Sequence, residues 1–145
     1  MSNVYVKDRA ETRLDVLMTA KELQIEITKF VMSEKSMPKK YRIILGSALI
    51  EKSDEMVDNI IAANTIYPKD EETLKLRKRY QLNAIINCFQ LQNKLIRIIE
   101  CIQETSIQKL NHIIPLIEKL STLLKAWKIQ LYYYVKNRLF VISSL

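Results

Sequence analysis

Apolar residues recur at intervals of three and four along most of this chain, which is the period of an amphipathic α-helix. The first such run predicts a helix over residues 8–34, followed by a turn at residues 35–38. Its apolar positions form one narrow stripe of the kind that packs between the helices of a bundle: Val16, Ala20, Leu23, Ile27 and Phe30. We therefore expect one long helix with a single buried face.

The second run predicts a helix from Pro38 to about residue 64. Proline suits a first helical turn, and Ser36 is a better N-cap than Met37 because its hydroxyl can accept a backbone N–H. Gly46 lies inside the helix at a cost of roughly 1 kcal/mol relative to alanine, so we expect it to allow close approach of a neighbouring helix. The positions expected to face inward are Tyr41, Leu45, Ala48, Met56 and Ile60, flanked by Ile44, Leu49, Val57 and Ile61.

Two further apolar runs complete the domain. Asp70 is the expected N-cap of a third helix over residues 71–104, and Pro115 predicts either a kink in the fourth helix or a short separate first segment. The buried positions expected in the third helix are Ala84, Cys88, Leu91, Leu95, Ile98 and Ile102, and those in the fourth are Leu110, Ile113, Ile117, Leu120, Leu124 and Trp127. Long amphipathic helices joined by short turns predict an all-α fold, an antiparallel up-down four-helix bundle over residues 1–130.

The tail at residues 131–145 differs from the bundle in composition. From Lys128 onward the chain holds three cations and no acidic residue, and the same segment contains four aromatic residues: Tyr132, Tyr133, Tyr134 and Phe140. Such a segment could stack on bases and contact phosphates. The alternative is that it continues the fourth helix and packs its rings on the bundle or on another subunit.

Composition excludes several classes of protein. A single glycine rules out a glycine-rich nucleotide loop, and His112 as the one histidine removes most metal sites and catalytic triads. Cys88 and Cys101 form no C-x-x-C motif and are expected to be reduced, buried thiols. We therefore expect no enzyme, no metal and no cofactor. No apolar run approaches about 18 residues and the first residues lack an apolar signal core, which predicts a cytoplasmic protein without a membrane span.

The formal net charge is +7, and the basic excess lies in the second half of the chain. Residues 66–97 contain seven basic and three acidic residues, and residues 98–145 contain six and three. A surplus of this kind makes an acidic partner plausible.

Three cations, Lys39, Lys40 and Arg42, open the second helix, where the helix macrodipole disfavours positive charge. Local helix stability therefore does not explain them. Folding back at the second turn is expected to bring Lys94 opposite Arg42 and Arg97 opposite Lys39. Together these five residues would contact phosphates in a salt-sensitive, sequence-tolerant way. The alternative is that these cations bind no partner and simply face solvent, and charge alone does not distinguish the two.

A second candidate basic site is the run Arg77, Lys78 and Arg79 in the third helix. The same folding would place this run near four carboxylates of the second helix, which would neutralise part of its charge: Glu51, Asp54, Glu55 and Asp58. We therefore expect the sparser cluster to be the better site for nucleic acid.

The order and spacing of several motifs resemble a known family. The motifs are the helix-2 opening Met37-Pro38-Lys39-Lys40-Tyr41-Arg42, Gly46, the helix end Ile60-Ile61-Ala62-Ala63-Asn64, and Leu123-Leu124-Lys125-Ala126-Trp127-Lys128. Over roughly residues 14–130 the chain resembles the small four-helix bundle proteins that include the accessory variability determinant of diversity-generating retroelements. Relatives in that family are encoded in intervening sequences of bacterial ribosomal RNA genes.

The resemblance implies a homopentameric ring with a basic surface. It also implies binding to a cognate reverse transcriptase and to nucleic acid, RNA or RNA with cDNA, by an accessory protein that has no catalytic centre. Lys39, Lys40 and Arg42 match the basic opening of the family's second helix. A different hypothesis is a stand-alone structural bundle that binds another protein through its apolar tail or its acidic stretch at residues 51–58.

Overall fold

The computed structural model describes the backbone of residues 2–102 and 107–143, and the side chains of residues 11–102, 108 and 110–130. Within these residues the chain is all-helical, as predicted. Its elements are α1 (Ser2–Met32), α2 (Lys39–Tyr41), a π-helical segment (Arg42–Gly46), α3 (Ser47–Thr65), α4 (Glu71–Cys101), a 3₁₀ helix (Ile107–Leu110) and α5 (Ile113–Ser143).

The four long helices enclose one apolar core. Helix α1 packs against α3 and α5, and α4 packs against the same two helices, an arrangement compatible with a four-helix bundle. All the predicted stripe residues of the first, third and fourth helices are buried, with Trp127 only 2 % exposed. The periodic pattern therefore identified the buried faces of α1, α4 and α5 correctly.

The second helical run is less regular than the sequence predicts. Pro38 occupies the N-cap position with an extended backbone, and no side chain caps this helix start, so the expected Ser36 cap is wrong. The π-helical turn then shifts the helical face, because it holds more residues than an α-turn. As a result Leu49 is fully buried and Ile44 is 71 % exposed, whereas the sequence placed both on the flanks.

Gly46 ends the π-helical segment and contacts α1, as predicted. A Cβ atom built on Gly46 would lie 2.7 Å from Cγ1 of Val31, well inside normal carbon–carbon contact. This close approach ties the start of the second helical run to the end of α1.

The start of α4 follows the prediction. The carboxylate of Asp70 accepts a hydrogen bond from the backbone N–H of Thr73 (2.8 Å), and the Asp70 N–H donates to the Thr73 hydroxyl (3.1 Å). The Thr73 hydroxyl also donates to the Asp70 carboxylate (2.9 Å). The two bonds that the carboxylate accepts, from the Thr73 N–H and from the Thr73 hydroxyl, lower the pKa of Asp70 because they stabilise its charged form. Helix α4 ends at Cys101 rather than at residue 104. Thr105 and Ser106, where the sequence indicates a tight connection between the third and fourth helices, lie outside the described residues.

Pro115 lies in the first turn of α5, where backbone N–H groups have no acceptor within the helix. The proline therefore removes no helical hydrogen bond. The 3₁₀ helix Ile107–Leu110 stands ahead of α5, which matches the expected short separate segment. The backbone of α5 continues through the predicted tail to Ser143, whereas the side chains of residues 131–145, including the aromatic ones, lie outside the described residues.

Candidate nucleic-acid interface

The basic opening of the second helical run presents two of its three cations to solvent. Lys39 and Lys40 are exposed, and the Lys40 ammonium lies 4.9 Å from the centre of the Tyr41 ring. Arg42 is half-buried, and its Nε donates a hydrogen bond to the carbonyl oxygen of Met37 (3.0 Å). Arg42 therefore stabilises the turn that precedes the helix. Lys39 and Lys40 are the two cations of this group that a polyanion can contact.

Lys94 belongs to a different part of the surface from Arg42. It lines a cavity together with Lys52, and its charge contributes to lowering the pKa of Glu55. Lys52 lies ten residues beyond Arg42, which is about 15 Å of helix. The expected position of Lys94 opposite Arg42 is therefore wrong, and the exposed Arg97, one turn further along α4, shares the same offset.

Arg77 is buried rather than surface-exposed. Only 8 % of its surface is accessible, its Nη1 donates to the carbonyl oxygen of Ile66 (3.3 Å), and its guanidinium carbon lies 5.1 Å from the centre of the Trp127 ring. These contacts place Arg77 at the Ile66 end of α3 rather than beside the acidic stretch at residues 51–58. Its role in the described structure is to join α4 to α5 and to the α3–α4 connection.

The other two residues of this run differ from Arg77 in exposure. Arg79 is exposed and Lys78 is half-buried. Burial lowers the pKa of Lys78, and the nearby charge of Lys128 adds to the effect because two like charges repel. Arg79 is therefore the member of the predicted run best placed to contact a phosphate.

The structure adds three residues that were not among the predicted site residues: Lys52, Phe89 and Lys125. The cavity next to Lys94 has a volume of about 340 Å³, and the residues that line it are Lys52, Ile86, Phe89, Gln90, Asn93 and Lys94. Lys125, on α5, places its ammonium 5.4 Å from the centre of the Phe89 ring. A signal was present in the sequence, because Phe89 is an aromatic residue that falls outside the buried stripe of α4.

Side-chain amides link α3 to this cavity. The Asn59 amide donates to the side-chain oxygen of Asn87 (2.7 Å), and the Asn87 amide donates to the side-chain oxygen of Gln90 (3.1 Å). Asn87 is almost fully buried and Gln90 is exposed, so the chain of amides runs from between the helices to the cavity wall. It restricts the orientation of Gln90.

A second cavity of about 370 Å³ lies between α1 and the start of α5. Glu22, Glu26, His112 and Lys119 contribute its charged or titratable side chains. Its two carboxylates would repel a polyanion, so this cavity is a poorer candidate for a nucleic-acid binding site than the cavity beside Lys94.

Chemically reactive groups are sparse in the part of the chain that the structure describes. Its His, Cys, Asp and Glu residues form no group of three or more that could hold a metal ion. Burial raises the pKa of the Cys88 thiol to about 12, so this sulfur is uncharged at neutral pH. Cys101 is exposed, which contradicts the expectation that both thiols are buried.

Comparison of the chain with protein-family models, with curated proteins and with solved structures gives no match. Within the described residues, no helix has the length and apolar character needed to cross a membrane.

Proposed function

We propose that this chain is a non-enzymatic accessory protein that binds nucleic acid through exposed lysines. The observation that carries the proposal is the exposure of Lys39 and Lys40 at a helix start, where the macrodipole opposes positive charge. Lys29, Lys52 and Lys75 form ion pairs with neighbouring glutamates, whereas Lys39 and Lys40 have no ion pair within the part of the chain that the structure describes. A bound external anion would stabilise two adjacent cations at this position, which the helix macrodipole does not.

Binding of this kind is electrostatic and tolerant of sequence. Each lysine that neutralises a phosphate releases condensed counterions, so affinity falls as salt rises. Contacts to the phosphate backbone position a protein but do not read bases. We therefore propose RNA, alone or paired with cDNA, as a ligand whose sequence matters little at Lys39 and Lys40.

The proposed assembly follows the resemblance to the retroelement accessory family. We propose that the four helices alternate in direction and that five copies form a ring, which would repeat the basic surface around an axis and strengthen weak contacts by multivalency. A candidate subunit contact is the outer face of α1, where four apolar side chains at helical spacing are exposed between 52 % and 70 %: Leu14, Met18, Ile25 and Met32. A reverse transcriptase is the proposed protein partner, and the cytoplasm is the proposed location.

The decisive experiment measures the salt dependence of binding to a single-stranded RNA. Affinity falls as salt rises, so the slope of log affinity against log salt is negative. Replacing both Lys39 and Lys40 by glutamine should make this slope shallower by roughly 1.5, since each phosphate contact contributes about 0.7 to 0.9 to its magnitude. The matched control is the double variant Lys69→Gln with Lys75→Gln, which removes the same charge beyond the far end of α3. An unchanged slope in the Lys39 and Lys40 variant would exclude this pair from the mechanism.

A second experiment addresses the protein partner. A retroelement reverse transcriptase should co-purify with the chain at low salt in the presence of RNA. Failure to co-purify under these conditions would count against the retroelement role, and would leave nucleic-acid binding to be judged by the salt experiment.

One observation favours a different function, a stand-alone bundle that binds another protein. All four acidic residues of the stretch at residues 51–58 are exposed, so they could pair with a basic partner: Glu51, Asp54, Glu55 and Asp58. Light scattering across a concentration series separates the two proposals in part. A stable five-subunit mass supports the ring, whereas a clean monomer favours the protein-binding bundle.

A further inference from the structure

Phe89 is an aromatic side chain that folding leaves largely in solvent. It lies on α4 outside the buried stripe of that helix and is 56 % exposed. Burial of a phenylalanine side chain stabilises a folded protein, and this ring contributes little of that stabilisation because more than half of it is exposed. A single exposed apolar residue is ordinary on a protein surface. The side chains that surround this ring are therefore what distinguishes it from an ordinary exposed residue.

Three helices contribute cations around Phe89. Lys52 of α3 and Lys94 of α4 line the same cavity as the ring, and the ammonium of Lys125 on α5 lies 5.4 Å from the ring centre. Such a distance is within the range of a cation–π contact. The ring and the cavity beside it thus form one site, which we call the Phe89 cavity and which consists of the cavity-lining residues together with Lys125.

One carboxylate offsets part of this positive charge. Lys52 Nζ lies 2.6 Å from an oxygen of Glu55, and this hydrogen bond is the main cause of the lowered pKa of Glu55. Counting the three lysines against this glutamate leaves two positive charges beside an exposed aromatic ring. The combination suits a ligand that carries both a flat apolar group and negative charge.

Polar groups for orienting such a ligand are present in the cavity wall. Gln90 and Asn93 line the cavity, and side-chain amides can both donate and accept hydrogen bonds. Gln90 is held by the amide of Asn87. The cavity volume of about 340 Å³ lies at the small end of the range for ligand pockets, which suits one planar ring system better than an extended molecule.

We propose that the Phe89 cavity binds an unpaired nucleobase of a single-stranded nucleic acid. The base stacks on Phe89, the neighbouring phosphates contact Lys94 and Lys125, and the amides of Gln90 and Asn93 face the base edge. This inference rests on the proposed nucleic-acid function and adds a preference that phosphate contacts cannot supply. A duplex keeps its bases stacked inside, whereas a single strand can present a base to an exposed aromatic ring.

The surroundings favour nucleic acid over a protein partner at this site. Ile86 is also exposed on the cavity wall, so an apolar protein surface is the competing occupant. Lysine, however, is depleted at protein–protein interfaces, and three lysines surround Phe89. Burying those ammonium groups against an apolar partner would cost their hydration without providing an opposite charge.

The test compares single-stranded RNA with an RNA duplex of half its length, so that both ligands carry about the same number of phosphates, using the 145-residue chain in low salt. Phe89→Ala should weaken binding of the single strand roughly tenfold and leave duplex binding unchanged, because stacking is lost only where a base is unpaired. Phe89→Trp should retain single-strand binding, since tryptophan also stacks. The matched control is Ile96→Ala, which removes another exposed apolar side chain from α4, 53 % accessible, and should not affect either ligand.

A spectroscopic readout reports on the ring itself. In Phe89→Trp the new indole is exposed while Trp127 is buried, so single-stranded RNA should quench the added emission and duplex RNA should not. Equal loss of single-strand and duplex affinity in Phe89→Ala, or the same loss in Ile96→Ala, would overturn the inference. So would a change in solution mass of Phe89→Ala with unchanged affinity, which would identify the face as a protein contact.

The two proposals fail in different ways. Absence of any RNA binding by the unmodified chain at low salt would refute the nucleic-acid function as a whole. Normal binding that Phe89→Ala leaves unaltered would refute only the base-stacking site, and the lysine contacts would stand.

Discussion

Replacing Gly46 with alanine tests the close approach of the π-helical segment to α1. The new Cβ would lie 2.7 Å from Cγ1 of Val31, whereas carbon atoms in contact prefer about 3.5 to 4.0 Å. Val31 is 5 % exposed, and its branched side chain has few alternative rotamers in a helix. The clash can therefore be relieved only if the two backbone segments separate.

The expected cost follows from two opposing effects. Overpacking of a core typically destabilises by about 1 to 3 kcal/mol, while alanine gains about 1 kcal/mol over glycine in helix propensity. Gly46→Ala should therefore lower the free energy of unfolding by about 1 kcal/mol, equivalent to a melting temperature lower by about 4 °C. In a Val31→Ala background the obstructing methyl group is absent, so the same change should stabilise by up to about 1 kcal/mol.

The assay is urea unfolding of the four variants of this double-mutant cycle, followed by circular dichroism and by the fluorescence of the buried Trp127. The diagnostic result is a reversal of sign, with a coupling energy of about 2 kcal/mol. Stabilisation of the otherwise unmodified chain by the full helix propensity of alanine would show that Gly46 does not approach Val31 closely.

Two further predictions concern the core of the bundle and its thiols. Cys101 should react rapidly with a thiol reagent at pH 8, while Cys88 should react only on unfolding, because burial raises the pKa of Cys88 to about 12 and the thiolate is the reactive form. The control variant Cys101→Ser should abolish the fast phase. Two rapidly reacting thiols per chain would contradict the prediction. Gln81→Leu should raise the free energy of unfolding by about 1 to 2 kcal/mol, because Gln81 is fully buried and neither of its side-chain polar atoms has a hydrogen-bond partner among the residues that the structure describes. The control is Gln24→Leu, which should not raise the free energy of unfolding because the Gln24 amide already donates a hydrogen bond to Asp54 (2.9 Å). A lower free energy of unfolding in Gln81→Leu would contradict the prediction.

The candidate site was only partly predictable from the chain. Lys39, Lys40 and Arg79 are exposed as a nucleic-acid contact requires, whereas Arg77 is buried against Trp127. An arginine in a run of cations looks solvent-exposed in a sequence, because composition cannot show that an aromatic ring from another helix covers it. The residues around Phe89 come from three helices, so no single stretch of sequence contains them.

The register between neighbouring helices could also be determined only from the tertiary structure. Counting back from the second turn places Lys94 opposite Arg42, but the residues joining α3 to α4 are not helical, and Ile66 and Asp70 have extended backbones. An extended residue advances about 3.3 Å and a helical residue about 1.5 Å, so a short connection displaces the start of α4. Lys94 consequently lies beside Lys52 and Glu55.

Four features were predictable from the sequence: the all-helical class, the buried faces of α1, α4 and α5, the Asp70 cap and the packing role of Gly46. These features depend on the 3.6-residue period, on capping chemistry and on the absence of a side chain, all of which are local. Tertiary structure alone decided the π-helical turn, the burial of Arg77 and the assembly of lysines around Phe89. Those features depend on how one helix packs against another, and a one-dimensional period carries no information about the offset between two helices.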